Sequence, residues 1–166
     1  MTPQELAILQ SILPALGVLL GVVFTQGAAM IQSWLNRENK RQVLLRTKYE
    51  ELGAHFLESM KLPHTLMTVE STEDILALTH QVSGNHAHLL AMIYFPKLRA
   101  ATGQYIQSYS ALCLAVASLH NPDDNSPLGM QVFDKPAYIA ASRAHIAARD
   151  CLQDQIELYA DTYAKS

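Results

Sequence analysis

The chain has few charged residues, and the shortage is confined to one region. Asp, Glu, Lys and Arg make up 16% of its 166 residues, against about 25% in a typical soluble protein. No charged residue occurs from Leu6 to Asn36. The rest of the chain therefore has the composition of an ordinary globular domain, and residues 6–36 need an explanation of their own.

Other absences exclude common classes of site. The two cysteines, Cys113 and Cys151, form no CxxC pair, so we interpret them as small buried side chains in a reducing compartment rather than as a disulfide. The sequence has no GxSxG elbow, no Walker-type phosphate loop and no GxGxxG after a strand. We therefore predict no catalytic residue, no cofactor and no metal site, and a protein that is not an enzyme.

The uncharged region has the length and polarity of a membrane span. Residues 16–24 (LGVLLGVVF) are apolar on every side, whereas a core helix of a globular protein normally has a polar face. Ile12 to Trp34 is 23 residues long, and about 20 apolar residues cross a bilayer. A cleaved signal peptide needs a basic start, but this start contains Glu5 and no Lys or Arg. We predict a retained transmembrane helix; a signal peptide and a buried soluble helix are the alternatives.

Basic residues follow this region and none precedes it. Five of them lie within twelve positions: Arg37, Lys40, Arg41, Arg46 and Lys48. Because basic residues stay on the cytoplasmic side, we expect a single-pass protein of the bacterial inner membrane with its amino terminus outside. From Tyr49 onward the chain has seven basic and thirteen acidic residues, which argues against a general nucleic-acid-binding surface.

Two glycines in the predicted span share one helix face. Gly17 and Gly21 form a GxxxG pair, which lets two transmembrane helices approach closely. Glycine is also simply common in spans, so the pair has a second explanation. On the first interpretation we expect Gly17 and Gly21 to pack against another copy, and the protein to be a homo-oligomer in the lipid bilayer.

After Trp34 the pattern continues as a helix. An apolar face follows at spacings of three and four residues: Leu45, Tyr49, Leu52, Phe56 and Met60. Residues 61–63 (KLP) are expected to end this helix. The predicted organisation is a span at residues 1–36, a basic stalk helix at residues 37–60, and a cytoplasmic helical bundle at residues 61–166.

The bundle is predicted from further helical patterns and no convincing strand, so the fold class is all-α. Ser71 precedes two acids and is a candidate helix cap. We expect residues 83–85 (SGN) to interrupt the next helix, and Pro96 to start or kink another. That helix has an apolar side at Leu98, Tyr105, Tyr109, Leu112 and Val116. Residues 121–129 read as a loop, and Pro136 as the first turn of the last helix.

Histidines give the nearest approach to a metal motif. His86 and His88 are two residues apart, and on a helix such side chains point about 200° apart. In an extended loop they could share a metal, but no third ligand lies within a turn. We interpret them as ordinary polar or capping residues; a metal-dependent enzyme built on them is the weakest alternative.

A few basic and aromatic side chains of the bundle are candidates for binding a small anion. Arg99, Arg143 and Arg149 could hold phosphates, and Tyr105 could stack on a base, if the fold brings them together. Their ordinary roles are surface arginines and a core tyrosine.

Two segments carry a resemblance. WLNRENKRQVLLRTKYEEL (residues 34–52) after the apolar region, and MIYFPKL (residues 92–98), resemble segments of small bacterial membrane proteins that pair one amino-terminal span with a helical cytoplasmic domain. The resemblance covers the first 60 residues and the short stretch at Tyr94 to Leu98. It implies an inner-membrane location and a regulatory or defence-related role, and it implies no catalytic residue.

Two hypotheses follow. The first is a membrane-anchored, non-enzymatic protein whose bundle binds a partner or itself. The second is a ligand-gated membrane effector of prokaryotic antiviral defence, in which the bundle binds a nucleotide second messenger such as a cyclic oligoadenylate and acts on the membrane. The layout of one span and one cytoplasmic bundle suits both.

Overall fold

The computed structural model describes residues 3–69, 71–80, 82–124, 126 and 128–163, without the side chains of residues 3–24, 28, 29, 80 and 82. Over this part of the chain the secondary structure is helical and contains no strand, which confirms the all-α prediction. The chain divides into two compact units, Met1–Val43 and Leu44–Ser166. The predicted boundaries at residues 36 and 60 stay predictions.

Helix α1 comprises Pro3–Ser59. It ends two residues before Lys61, as the KLP segment predicts, and Pro63 then lies in the first turn of α2, Leu62–Leu66. Within the described part of the chain, no helix has both the length and the apolar character that crossing a bilayer requires. Most of the predicted span, Ile12–Trp34, and both Gly17 and Gly21, lie outside the described side chains.

Helix α3, Thr72–Ala77, begins at the predicted cap. The Ser71 hydroxyl accepts a hydrogen bond from the Asp74 backbone N–H at 3.1 Å, which satisfies one of the donors left unpaired at a helix start. A 3₁₀ turn, Leu78–His80, follows.

Helix α4, Val82–Tyr94, passes through the segment where we predicted an interruption. That prediction is wrong because packing outweighs the low helix propensity of Ser, Gly and Asn. Gly84 is buried, and a Cβ at this position would lie 3.8 Å from the Ser59 Cβ and 4.0 Å from Ile106 Cγ1. The glycine therefore brings the α4 backbone close to α1.

Pro96 starts a 3₁₀ turn, Pro96–Leu98, as predicted, and helix α5, Arg99–Leu119, continues from it. The loop expected at residues 121–129 is shorter, because a short helix α6, Leu128–Val132, begins inside its predicted range. Helix α7, Pro136–Tyr163, starts at the predicted proline.

Three clusters of buried side chains form the core of the Leu44–Ser166 unit. The first joins α2, α3, α5 and α6 around Ile75 and Val116. The second joins α1 and α4 around Leu52 and Phe95, with partly buried side chains of α7. The third joins α1, α5 and α7 through Phe56, Tyr105 and Leu152; helix α5 thus lies at the centre of the bundle.

Candidate functional site

The most unusual buried group of the bundle is a histidine between two tyrosines. His145 of α7 is 4% exposed. Its ring centroid lies 5.1 Å from that of Tyr105 and 5.6 Å from that of Tyr109. Its Nδ1 lies 3.1 Å from the Ser108 hydroxyl of α5. This His145 cluster is therefore a polar centre inside the contact of α5 with α7.

Burial keeps this imidazole neutral. Desolvation, with a smaller contribution from the Arg149 guanidinium, lowers the pKa of His145 from 6.5 to about 4, because a buried charge loses its hydration. The Ser108 hydroxyl donates its single proton to the Tyr105 carbonyl at 2.7 Å. At the longer contact its oxygen therefore accepts, and Nδ1–H is the donor.

The direction of the Ser108 hydroxyl proton decides whether Ser108 and His145 are arranged for nucleophilic catalysis. A serine nucleophile is activated when its hydroxyl donates to the histidine base. In the His145 cluster the hydroxyl proton of Ser108 goes to a backbone carbonyl instead. The pair therefore satisfies a buried histidine and is not arranged as a nucleophile and its base.

A second histidine is held in the same way. His88 Nδ1 lies 2.9 Å from the Thr102 hydroxyl, which itself donates to the backbone carbonyls of Leu98 and Arg99 at 3.0 and 3.1 Å. Burial, with a smaller contribution from Arg99, lowers the pKa of His88.

The predicted histidine pair is separated by the helix, as its geometry requires. His88 faces Thr102 of α5, whereas His86 makes an edge contact with His55 of α1 at a centroid distance of 5.0 Å. Over the residues with described positions, no group of three or more His, Cys, Asp or Glu side chains is placed to hold a metal ion.

Tyr105 is a core residue. It is 3% exposed, its hydroxyl lies 2.9 Å from the Ser59 hydroxyl, and its ring packs edge-on against Phe56. Burial raises the pKa of Tyr105, and the hydrogen bond with Ser59 and then the Arg149 guanidinium oppose this increase. The ring has no open face on which a base could stack, which favours the role of a core tyrosine over that of a ligand-binding residue.

The three candidate arginines occupy different surroundings. Arg149 is half-buried beside the His145 cluster and pairs with Asp150 at 2.7 Å. Arg99 is exposed and acts on the pKa of His88. Arg143 is exposed on α7, and its separation of six residues from Arg149 places it about 120° away around the helix. The structure thus brings Tyr105 together with Arg149 and places Arg99 with His88.

Two shallow depressions along α5 meet at Gln104 and Gln107. One is lined by His88, Pro96, Arg99, Ala100, Gly103 and the two glutamines. The other is lined by the two glutamines, Ser108, Ala111, Ala144, Ala147, Ala148 and Cys151. Arg99 is the charged residue among these lining side chains.

Helix α4 has an apolar face that is not covered by the described residues. The helix contains no Asp, Glu, Lys or Arg. On its inner side Ala87 and Ala91 are buried against α1, whereas Leu89, Met92 and Ile93 are 48%, 43% and 61% exposed. These three residues lie within one helical turn of each other and form a continuous face, the α4 face. Sequence periodicity does not single out this face, because residues 89–93 (LLAMI) are apolar on every side of the helix.

The basic residues after the uncharged region fall into two groups. Arg46 pairs with Glu50 at 3.1 Å, and Lys48 pairs with Glu51 at 2.7 Å. Arg37, Lys40 and Arg41 are exposed and form no ion pair with any described residue. Among the described residues, the positive charge that no carboxylate neutralises in this stretch therefore lies on Arg37, Lys40 and Arg41.

Comparison with protein-family models, with curated proteins and with solved structures finds no match to the chain.

Proposed function

We propose that the chain is a membrane-anchored, non-enzymatic helical protein of the inner membrane whose cytoplasmic bundle acts by binding a partner or a second copy of itself. The uncharged region from Leu6 to Asn36, with basic residues after it and none before, supports the anchor and its orientation. The α4 face is the observation that carries the binding function.

An exposed face of this kind has a physical consequence. Leaving several neighbouring large apolar side chains in water is unfavourable, by about 25 cal/mol per Å² that another surface could cover. Continuous apolar patches therefore mark protein interaction sites more often than isolated exposed residues do. Leu158, which is 66% exposed on α7, is an isolated residue of the second kind, between Glu157 and Tyr159 and one turn from Asp154 and Asp161.

The difference between the two surfaces provides a matched test. Ile93→Lys places a charge in the α4 face, and Leu158→Lys places the same charge at an equally exposed leucine outside it. We expect the full chain in mild detergent to form an oligomer or to capture a partner by affinity purification, and only Ile93→Lys to abolish this association. Strictly monomeric protein without a captured partner, or equal loss in both variants, would contradict the proposal.

The second candidate function is the nucleotide-gated membrane effector. It is supported by the half-buried Arg149 beside the His145 cluster, where a guanidinium close to a polar centre could transmit anion binding to the contact of α5 with α7. A cyclic oligoadenylate should then raise the thermal midpoint of the full chain, and Arg149→Ala should remove the shift while Arg143→Ala retains it. No shift with any nucleotide messenger would eliminate this function.

A further inference from the structure

The three basic residues nearest the uncharged region differ from the two that follow. Arg46 and Lys48 have carboxylate partners one turn further along the helix. Arg37, Lys40 and Arg41 are exposed and have no carboxylate partner within the described part of the chain. The acidic residue of this stretch, Glu38, likewise forms no ion pair with any described residue. The charges at residues 37–41 are thus available to a ligand.

These three side chains share one side of α1. Positions 37, 40 and 41 are separated by three and four residues, so they are neighbours on the helix surface. Trp34 lies one turn before Arg37 and is 65% exposed, and Leu35 is 52% exposed. An exposed tryptophan between an apolar segment and a group of cations is the arrangement that suits a membrane interface, where the indole lies at the level of the headgroups.

We propose that Arg37, Lys40 and Arg41 form a binding surface for anionic phospholipid headgroups. The inference rests on the proposed anchor. A guanidinium binds a phosphate with two parallel hydrogen bonds, and an ammonium adds a point charge. Trp34 and Leu35 favour a lipid over a soluble phosphate or a nucleic acid, because they place apolar surface next to the cations. Each basic residue near an anionic leaflet strengthens lipid binding about fivefold.

The chain carries its own probe for this surface. Trp34 is the one tryptophan of the sequence, so its fluorescence reports on this part of α1 alone. The full chain is reconstituted in vesicles of phosphatidylcholine and phosphatidylglycerol in equal amounts, with bromine on the acyl chains of one lipid or the other. The ratio of the two degrees of quenching measures which lipid surrounds Trp34.

Two double variants remove equal charge from the same helix. Lys40→Gln/Arg41→Gln removes two of the unpaired cations, and Arg46→Gln/Lys48→Gln removes the two paired ones. We expect wild type to prefer phosphatidylglycerol several-fold, the first variant to lose most of this preference, and the second to retain it. Salt at 0.5 M should weaken the preference in wild type, because it screens exposed charges.

Equal quenching by the two lipids in wild type, or equal loss in both variants, would overturn the headgroup surface. If wild type instead binds single-stranded RNA through the same two residues and shows no lipid preference, the surface belongs to a nucleic acid. Extraction by alkaline carbonate tests the anchor separately. A chain that is extracted overturns the span, and flotation with phosphatidylglycerol or phosphatidylcholine vesicles then decides the headgroup surface by itself.

Discussion

Two histidines of the bundle, the buried His145 and the half-buried His88, form the same kind of hydrogen bond with a hydroxyl of α5. Ser108 and Thr102 each donate the hydroxyl proton to a backbone carbonyl of α5, that of Tyr105 and that of Arg99, and accept from a histidine Nδ1–H. A neutral imidazole suits this arrangement, and an imidazolium would be buried without a counter-charge in it. The Arg149 and Arg99 guanidiniums act in the same direction on His145 and His88, respectively.

This arrangement makes stability depend on pH. The folded pKa of His145 is about 4 and that of an unfolded chain is about 6.5, so between these values the unfolded state binds the extra proton. The contribution of neutral His145 to the free energy of unfolding is complete above pH 6.5. It is lost as the pH falls towards 4, by about 3 kcal/mol in all. Between pH 7.5 and 4.5, the free energy of unfolding of wild type should fall by about 2 to 3 kcal/mol more than that of His145→Phe, as measured by urea unfolding in mild detergent. Parallel pH profiles would contradict the burial of this group.

The two tyrosines beside His145 should respond in opposite ways to removal of their hydroxyls. The Tyr105 hydroxyl is bonded to Ser59. The buried Tyr109 hydroxyl has no partner of normal geometry among the described residues; burial, and then the Cys113 thiol, raise its pKa. We expect Tyr105→Phe to cost about 1 kcal/mol, and Tyr109→Phe to be neutral or stabilising by up to about 1 kcal/mol. Urea unfolding at pH 7.5 measures both changes. A larger cost for Tyr109→Phe than for Tyr105→Phe would contradict the view that the Tyr105 hydroxyl is hydrogen-bonded and the Tyr109 hydroxyl is not.

Single-residue roles were harder to predict than helical faces. His145 and Arg149 lie four residues apart on α7, but nothing in the sequence of this helix distinguishes a buried histidine from a surface one. Its partner Ser108 is 37 residues away along the chain, and only the packing of α5 against α7 brings the two together. For Tyr105 the apolar stripe was the better guide, because it placed the ring in the core.

At the scale of helices the sequence patterns were informative wherever one face was apolar and the other polar. The stripe of α1 is confirmed at Tyr49, Leu52 and Phe56, which are all buried, and the five-residue stripe around Tyr105 is buried throughout. Proline and the Ser71 cap marked helix starts correctly. The failures are α4 and α6, where local propensity disagrees with the structure and contacts with other helices decide.

Helix α7 allows a direct test of its buried face. Leu152 is fully buried against Phe56 and Tyr105, whereas Leu158 on the same helix is 66% exposed. Leu152→Ala should lower the free energy of unfolding by about 2 to 5 kcal/mol, because it removes contacts and leaves a cavity. Leu158→Ala should change it by no more than about 0.5 kcal/mol. Similar costs for the two variants, measured by urea unfolding, would mean that α7 packs through a different face.

At the scale of the whole molecule, charge distribution carries more information than net charge. The net charge of −3 combines a cationic segment after the uncharged region with an acidic bundle. Under the proposed anchor, an anionic leaflet would repel the acidic bundle and attract the cations at residues 37–41. The asymmetry is visible in the sequence, but the distinction between paired and unpaired cations needed the side-chain positions.

The proposed orientation can be tested with the two cysteines, because they differ in exposure. Cys151 is exposed and Cys113 is fully buried, so a membrane-impermeant maleimide should react with one site in the folded chain. If the bundle is cytoplasmic, spheroplasts should stay unlabelled and inverted inner-membrane vesicles should be labelled once, with Cys151→Ser abolishing the signal. Urea should expose Cys113 as a second site, which shows that the reagent is active and that burial protects this thiol. Labelling of Cys151 in intact spheroplasts would place the bundle outside and reverse the orientation drawn from the basic residues.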